Sequence, residues 1–235
     1  MTSRLREALA APDSKSRYVR RLFSTIAERY DLITRLLSYG QDRRWKARVV
    51  ELSDARPGLS ALDLACGTGD IAFALATRGA DVVGLDITHR MLQLARAKGG
   101  AARFVTGDML ALPFGDEAFD LVTTGYGLRN VPEIPRAIAE MRRVLKPGGI
   151  LISLDFDRPA NAILRGVYLT YLTLVGSTLG VILHRDPDTY RYIPESIRRY
   201  PGAVEVNAMI GRAGFSRSES LPVFGGLMAI HHARR

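Results

Sequence analysis

Cysteine is almost absent: Cys66 stands alone in 235 residues. No disulfide can form within the chain, and a reducing compartment such as the cytoplasm is the expected setting. Histidine is nearly as scarce, and none of His89, His184, His231 and His232 has partners at metal-ligand spacing, so no metal site is expected. Acid is in short supply too. Against 33 Lys and Arg there are only 24 Asp and Glu, giving a formal charge of +9 and a pI near 10.0. Such a balance calls for an anionic partner or for none. The basic residues are spread over Arg4 to Arg21, Arg43 to Arg48, Arg142 to Lys146 and Arg185 to Arg199, and no recognised nucleic-acid module contains them. Solvated helix faces are the plain reading, and an anionic membrane surface is the next. No basic start leads into a short apolar stretch, so a secretory leader is not expected. Long uncharged runs are limited to Gly166 to Leu183, at the lower limit for a membrane span. Thr170, Thr173, Ser177, Thr178 and the glycines dilute it. A lid helix that covers an oily ligand or touches a bilayer is expected there, with core packing as the competing reading.

What is present is organised around Asp63-Leu-Ala-Cys-Gly-Thr-Gly-Asp70. Ala61 to Ala65 is a short apolar run with one carboxylate, a glycine pair follows, and Asp70 opens helically spaced Ile71, Phe73, Ala74 and Leu75. This reads as a buried parallel strand, a tight turn and a helix N-terminus. Gly67 and Gly69 let the chain turn and leave room for a nucleotide-like ligand. Gly67-x-Gly69-x-x-Ala72 followed by Asp86 also fits a dinucleotide fingerprint, which keeps an NAD-linked reductase as an alternative. Asp63 shifts the balance. A pyrophosphate prefers helix N-terminal N–H groups without a carboxylate nearby, whereas S-adenosylmethionine has no phosphate and carries cationic sulfonium and amino groups. A basic RNA-binding protein is the alternative from another class.

In chain order, residues 1 to about 55 are helical and basic, with apolar faces at Val19, Leu22, Phe23, Ile26 and at Leu32, Ile33, Leu36, Leu37. Gly40 and then Pro57-Gly58 punctuate them, giving an N-terminal extension over 1–57 and a main domain over 58–235. Strands follow at Ala61 to Ala65, Asp81 to Asp86, Ala102 to Thr106, Phe119 to Thr124 and Gly149 to Phe156. Helices are expected at Asp70 to Arg78, at Thr88 to Lys98 with Thr88 as cap, and from about Pro132 to Leu145, stopped by Lys146-Pro-Gly-Gly149. Asp186 to Pro201 reads as a loop and a short helix, closing a lid insertion over about 157–200. A helix over Ala203 to Ala213 leads to a closing hairpin of Phe215 to Leu221 and Leu227 to His232. The alternation predicts an α/β fold with a mostly parallel sheet, helices on both faces and ligands beyond the carboxyl ends of the strands. Asp86, at such an end, can accept from both ribose hydroxyls; Asp108 can meet an adenine amino group, with Met109 against the ring.

The turn at Asp63 to Asp70, Gly127-Leu-Arg-Asn-Val131, Arg143-Val-Leu-Lys-Pro-Gly-Gly149 and Tyr190-Arg-Tyr-Ile-Pro-Glu-Ser-Ile197 together resemble the UbiE family of quinone-biosynthesis C-methyltransferases. The likeness runs from Phe23-x-x-Ile-Ala-x-x-Tyr-Asp31 to the terminal hairpin. Where that family often has Asn, Asn, Ser and Glu, this chain has Thr34, Asp108, Gly125 and Asp155. The resemblance implies a Rossmann-like class I methyltransferase fold with a seven-stranded sheet. It also implies S-adenosylmethionine as cofactor and a polyprenylated hydroquinone as acceptor; another lipophilic or small-molecule acceptor is the alternative. The cofactor residues would be Asp63, Gly67, Thr68, Gly69, Asp86, Ile87, Asp108, Met109 and Gly125. Arg129, Asn130 and Asp155 would be catalytic, and Tyr30, Tyr190, Arg191 and Tyr192 would meet the acceptor. Arg129 stays protonated and is a poor base, so its expected role is to stabilise a developing oxyanion. A cytoplasmic enzyme, peripheral at the inner face of the membrane, fits these features, and a homodimer is compatible with them.

Overall fold

The computed structural model describes Leu5, Glu7, Leu9, 11–159 and 161–235; Arg4, at the head of the first basic stretch, lies outside the described residues. From Pro12 on come α1 (Pro12–Ile26), α2 (Tyr30–Leu37) and α3 (Asp42–Leu52), with a 3-10 turn at Ala27–Arg29 between α1 and α2. The alternating part follows as β1 (Ser60–Leu64), α4 (Asp70–Thr77), β2 (Asp81–Asp86), α5 (His89–Lys98), β3 (Arg103–Thr106), β4 (Phe119–Gly125), α6 (Ile134–Val144) and β5 (Leu145–Phe156). Three helices, α7 (Ala162–His184), α8 (Asp188–Arg199) and α9 (Ala203–Arg212), precede the hairpin of β6 (Arg217–Val223) and β7 (Met228–Arg234).

The seven strands form one sheet in the order β3-β2-β1-β4-β5-β7-β6. The first five are parallel, and β7 pairs antiparallel with β5 and β6. Strand alternation divides the core. Leu62, Leu64 and Val122 join Ile138, Met141 and Val206 on one face. Ala61 and Leu121 join Trp45, Val49, Ile71 and Leu75 on the other, so α3 is part of the main core. A third cluster joins Val19, Leu22, Ile26 and Ile33 of the first two helices to Tyr190 and Tyr192 of α8.

Several elements depart from the sequence reading. β5 begins at Leu145 rather than at Gly149, because Leu145 is already extended and pairs with Phe119 before a register shift in β4. The final strands start and end one or two residues later than expected. Asp186 to Pro201 is not mainly loop: it holds the twelve-residue α8, which keeps its course through Pro194. Thr88 is the N-cap of α5, yet its hydroxyl makes no cap bond; Asp86 Oδ1 accepts the Thr88 N–H at 2.8 Å in its place. Finally, Gly166 to Leu183 lies within the longer α7, whose inward residues are Leu172, Gly176 and Gly180. Ile163, Val167, Leu174, Val181 and Ile182 face outward, 52% to 79% exposed.

Candidate active site

At the carboxyl ends of β1, β2 and β4 lies a cleft, the place where open α/β sheets bind their ligands. It brings together Gly67, Asp86, Ile87, Asp108, Met109 and Gly125. A narrow crevice beside it adds Asp63 and Thr68. The backbone there is bent hard. Ala65 at the end of β1 and Tyr126 at the end of β4 have φ of 50° and 61°, which for non-glycine residues costs on the order of 1–3 kcal/mol each and is concentrated at functional sites. Gly67, with φ of 54°, would tolerate no side chain without strain and faces the Tyr30 ring. Gly69 serves otherwise than expected: a Cβ there would strike the Phe73 ring, so its constraint is helix packing and a φ of 88°.

The acids differ in what they hold. Asp86 accepts from the Gly67 N–H at 2.9 Å and from Thr88, tying the glycine turn to β2 while leaving lone pairs on both oxygens. Burial pushes its carboxyl above the usual range against the pull of those N–H groups. Asp63 accepts from Thr123 Oγ1 at 2.8 Å, and its Oδ2 has no hydrogen-bond partner among the described residues. Burial raises it to about 7, even with the Thr123 hydroxyl and the Ala72 N–H helping the charge. Asp108 accepts from the Leu110 N–H. A buried carboxylate under the glycine turn with no ion-pair partner among the described residues suits a cationic ligand group and repels a pyrophosphate. The residues present therefore fit S-adenosylmethionine.

The N-terminal helices cap this cleft. Asp31 accepts from Thr68 Oγ1 at 2.6 Å and pairs with Lys98 at 2.8 Å, and Glu28 pairs with Arg90 on α5. Lys98 also meets Asp70, which pairs with Lys46 at 2.8 Å.

A second cavity opens next to the first. It is lined by rings and aliphatic groups such as Ile33, Trp45, Phe156, Tyr168, Tyr190 and Tyr192, and Arg129 is its one ionic lining side chain among the described residues. Phe23, Tyr30 and Tyr126 line both cavities and so mark where they meet. Sequence reasoning missed Phe23 and Tyr126 in this role; the positive-φ strand end could not be read from residue type.

The 3-10 turn Leu128–Asn130 sits at that junction. Arg129 is buried, its Nη1 donating to Asp155 Oδ1 at 2.8 Å and to the Tyr126 carbonyl at 3.0 Å, while its N–H reaches Asp155 Oδ2. The guanidinium lies 4.6 Å from the Phe156 ring centroid, and Nε has no hydrogen-bond partner among the described residues. Burial works against its charge, and the Asp155 carboxylate outweighs it. Asn130 lines the first cavity; its Nδ2 donates to the Tyr126 carbonyl and its Oδ1 accepts from the Tyr192 hydroxyl at 2.9 Å. The two neighbours thus border different cavities.

Two expected residues stand apart. Asp155 lines neither cavity and acts through Arg129. Arg191 pairs with Asp188 on its own helix and does not line the apolar cavity, because helical twist turns it away from Tyr190 and Tyr192. Tyr190 lines the cavity with its hydroxyl against His184 Nε2 at 2.8 Å.

The profile of the ubiE/COQ5 methyltransferase family matches residues 11–235. The chain is 44% identical over 216 residues to a demethylmenaquinone methyltransferase of Thermus thermophilus, covering 89% of this chain and 98% of that one. It is 39% identical over 232 residues to the ubiquinone/menaquinone biosynthesis C-methyltransferase UbiE of Azotobacter vinelandii, covering 94% and 92%. Among solved structures, an S-adenosylmethionine-dependent methyltransferase of Thermotoga maritima superposes with a TM-score of 0.66 at 19% identity, covering 92% of this chain and 99% of that one, which shows the shared fold.

Proposed function

The chain belongs to the ubiE/COQ5 methyltransferase family, and from that premise we propose how its two cavities carry out S-adenosylmethionine-dependent C-methylation in quinone biosynthesis. The acceptor is a polyprenylated hydroquinone, with its ring at the junction beside Arg129 and its tail in the apolar cavity. The supporting observation is the pairing itself: an acid-lined cleft and an apolar cavity with one cation meet at Phe23, Tyr30 and Tyr126.

When bound, the cofactor supplies a methyl group on a cationic sulfur. Gly67 and Asp86 would hold the nucleoside end by backbone shape and carboxylate acceptors, and Asp63 would offer its carboxylate to the cationic groups. On the acceptor side a new carbon–carbon bond would form as the ring carbon takes the methyl, the sulfur–methyl bond would break with its electron pair kept by sulfur as a neutral thioether, and the ring proton would leave to water. Arg129 favours the hydroquinone oxyanion that drives this step, since a fixed cation in a dry pocket acts where charge develops. It does not take the proton, because a guanidinium remains charged. Asn130 keeps the ring in place from the cofactor side, and Tyr192 holds Asn130. The aromatic walls exclude water and align donor and nucleophile.

Purified protein given S-adenosylmethionine with demethylmenaquinol and, separately, with a demethylated ubiquinol precursor tests this reading by mass spectrometry. A product heavier by one methyl on the ring carbon is expected from at least one. Cofactor binding without transfer to either would overturn the acceptor assignment.

The finer reading includes a lipid contact. α7 is 23 residues long with mean hydropathy 1.6 over its apolar window, only 17% of which is buried. Its exposed stripe lies on the helix whose Tyr168 lines the apolar cavity, and Arg165 and Arg185 stand at its two ends. An apolar face flanked by bases suits an anionic bilayer surface. Replacing Leu174 and Val181 together by Glu should abolish sedimentation with anionic vesicles. Unchanged binding in that variant would sink the idea.

A further inference from the structure

We propose that Lys15 is a positioning residue for methyl transfer, fixing from α1 the turn that carries Arg129 and Asn130. The inference rests on the roles given to those two side chains above. Lys15 Nζ donates to the Arg129 carbonyl at 3.0 Å and to the Val131 carbonyl at 2.7 Å, bridging a separation of more than a hundred residues. One carbonyl belongs to the middle residue of the 3-10 turn and the other to the residue that ends it. Within the turn itself the backbone bonds are few: Asn130 N to the Gly127 carbonyl at 3.0 Å and Val131 N to the Leu128 carbonyl at 3.4 Å. The second is long and weak. The turn must point Arg129 into one cavity and Asn130 into the other, so a small rotation misplaces both.

No carboxylate pairs with Lys15 among the described residues. Burial, and then the neighbouring cations Arg129 and Arg199, lower its pKa to about 8, with Asp155 pulling the other way. A methionine would fill the same space without that penalty. What a lysine adds here is its hold on two carbonyls.

The same helix reaches the turn a second way. Tyr18, one turn along α1 from Lys15, packs its ring 5.6 Å from that of Tyr192, and the Tyr192 hydroxyl donates to Asn130 Oδ1. Positions three apart share a helix face. α1 therefore holds the turn through its backbone and holds Asn130 through a ring, although α1 itself lies far outside the strand-and-turn motifs.

The test uses the full chain with Lys15→Met and Lys15→Arg. Lys15→Met should lower kcat ten- to a hundredfold, as misplacement by a fraction of an ångström does, while the Kd for S-adenosylmethionine stays within about twofold of wild type. Hydrogen exchange should quicken in the peptide spanning 126–132 and stay unchanged in β1 and β2. Lys15→Arg, which keeps two donors and a charge, should recover most of kcat. The proposal is overturned if Lys15→Met turns over within about twofold of wild type, or if exchange quickens equally through the strands, which marks a role in folding alone. If wild type itself fails to methylate a hydroquinone, the acceptor reading falls, and the exchange comparison still decides whether Lys15 holds the turn.

Discussion

The cleft at the carboxyl ends of the strands takes its acids and glycines from positions no more than three residues past a strand end: Gly67 after β1, Asp86 and Thr88 at β2, Asp108 after β3, Gly127 after β4. The apolar cavity beside it has no such local origin. It gathers Leu22, Ile33, Trp45, Tyr168 and Tyr190 from opposite ends of the chain. One is shaped by the backbone and the other by helix packing, so each should fail in its own way when altered. Damage to the first should appear in cofactor affinity; damage at the junction should appear in turnover.

The largest effect is expected at Arg129. Arg129→Ala should cut methyl transfer by roughly a hundredfold or more and cost about 3–5 kcal/mol in urea unfolding, because Asp155 is then buried without its partner. A paired change, Arg129→Met with Asp155→Leu, removes both charges. It should regain stability but not turnover, measured on the same preparation. Recovered turnover would show that the apolar cavity needs no cation, and the contrast between the two cavities would lose its point.

A smaller effect is expected at Asp86. Loss of an acceptor for two ribose hydroxyls, at about 1.5–3 kcal/mol for each bond to a charged group, should weaken cofactor binding at least tenfold in Asp86→Ala by titration calorimetry. Turnover at saturating cofactor should change far less. A fall in kcat at unchanged Kd would move Asp86 to the other side of the comparison.

The smallest is a pH effect at Asp63. With its pKa raised to about 7 by burial, the group is neutral below that and charged above, and a cationic ligand prefers the charged form. Cofactor affinity should rise up to about tenfold from about pH 6 to about pH 8 and lose this rise in Asp63→Asn. The sign for folding is opposite. A carboxyl whose folded pKa is raised contributes stability in full below about pH 4, and that contribution is lost as pH rises through about 7.

The same contrast governs what could be read from the chain. Strand, glycine turn and helix follow one another at Asp63 to Asp70, so composition and spacing place Gly67 and Asp86 in one cleft. The twelve residues of α8 were harder, because Pro194 and a dense run of Tyr and Arg resemble a loop until packing against α7 holds them helical. That helical turn also separates Arg191 from its tyrosine neighbours. Lys15 carries no signal at all in a basic helix; only the arrival of the Arg129 and Val131 carbonyls distinguishes it from Arg17 or Arg20. Asp155 was legible as a strand-end acid, but not as one turned inward to serve Arg129.

The inward face of α7 is cut flat by two glycines. A Cβ on Gly176 would sit 3.3 Å from the Tyr190 backbone, and one on Gly180 would overlap the Asp186 carbonyl. Crossing a bilayer would require this helix to part from α8, opening the seat of Tyr190. A helix fastened this way suits the surface contact proposed above better than a span. On the lipid contact proposed above, the enzyme would bind the surface reversibly and be released when salt screens its charge.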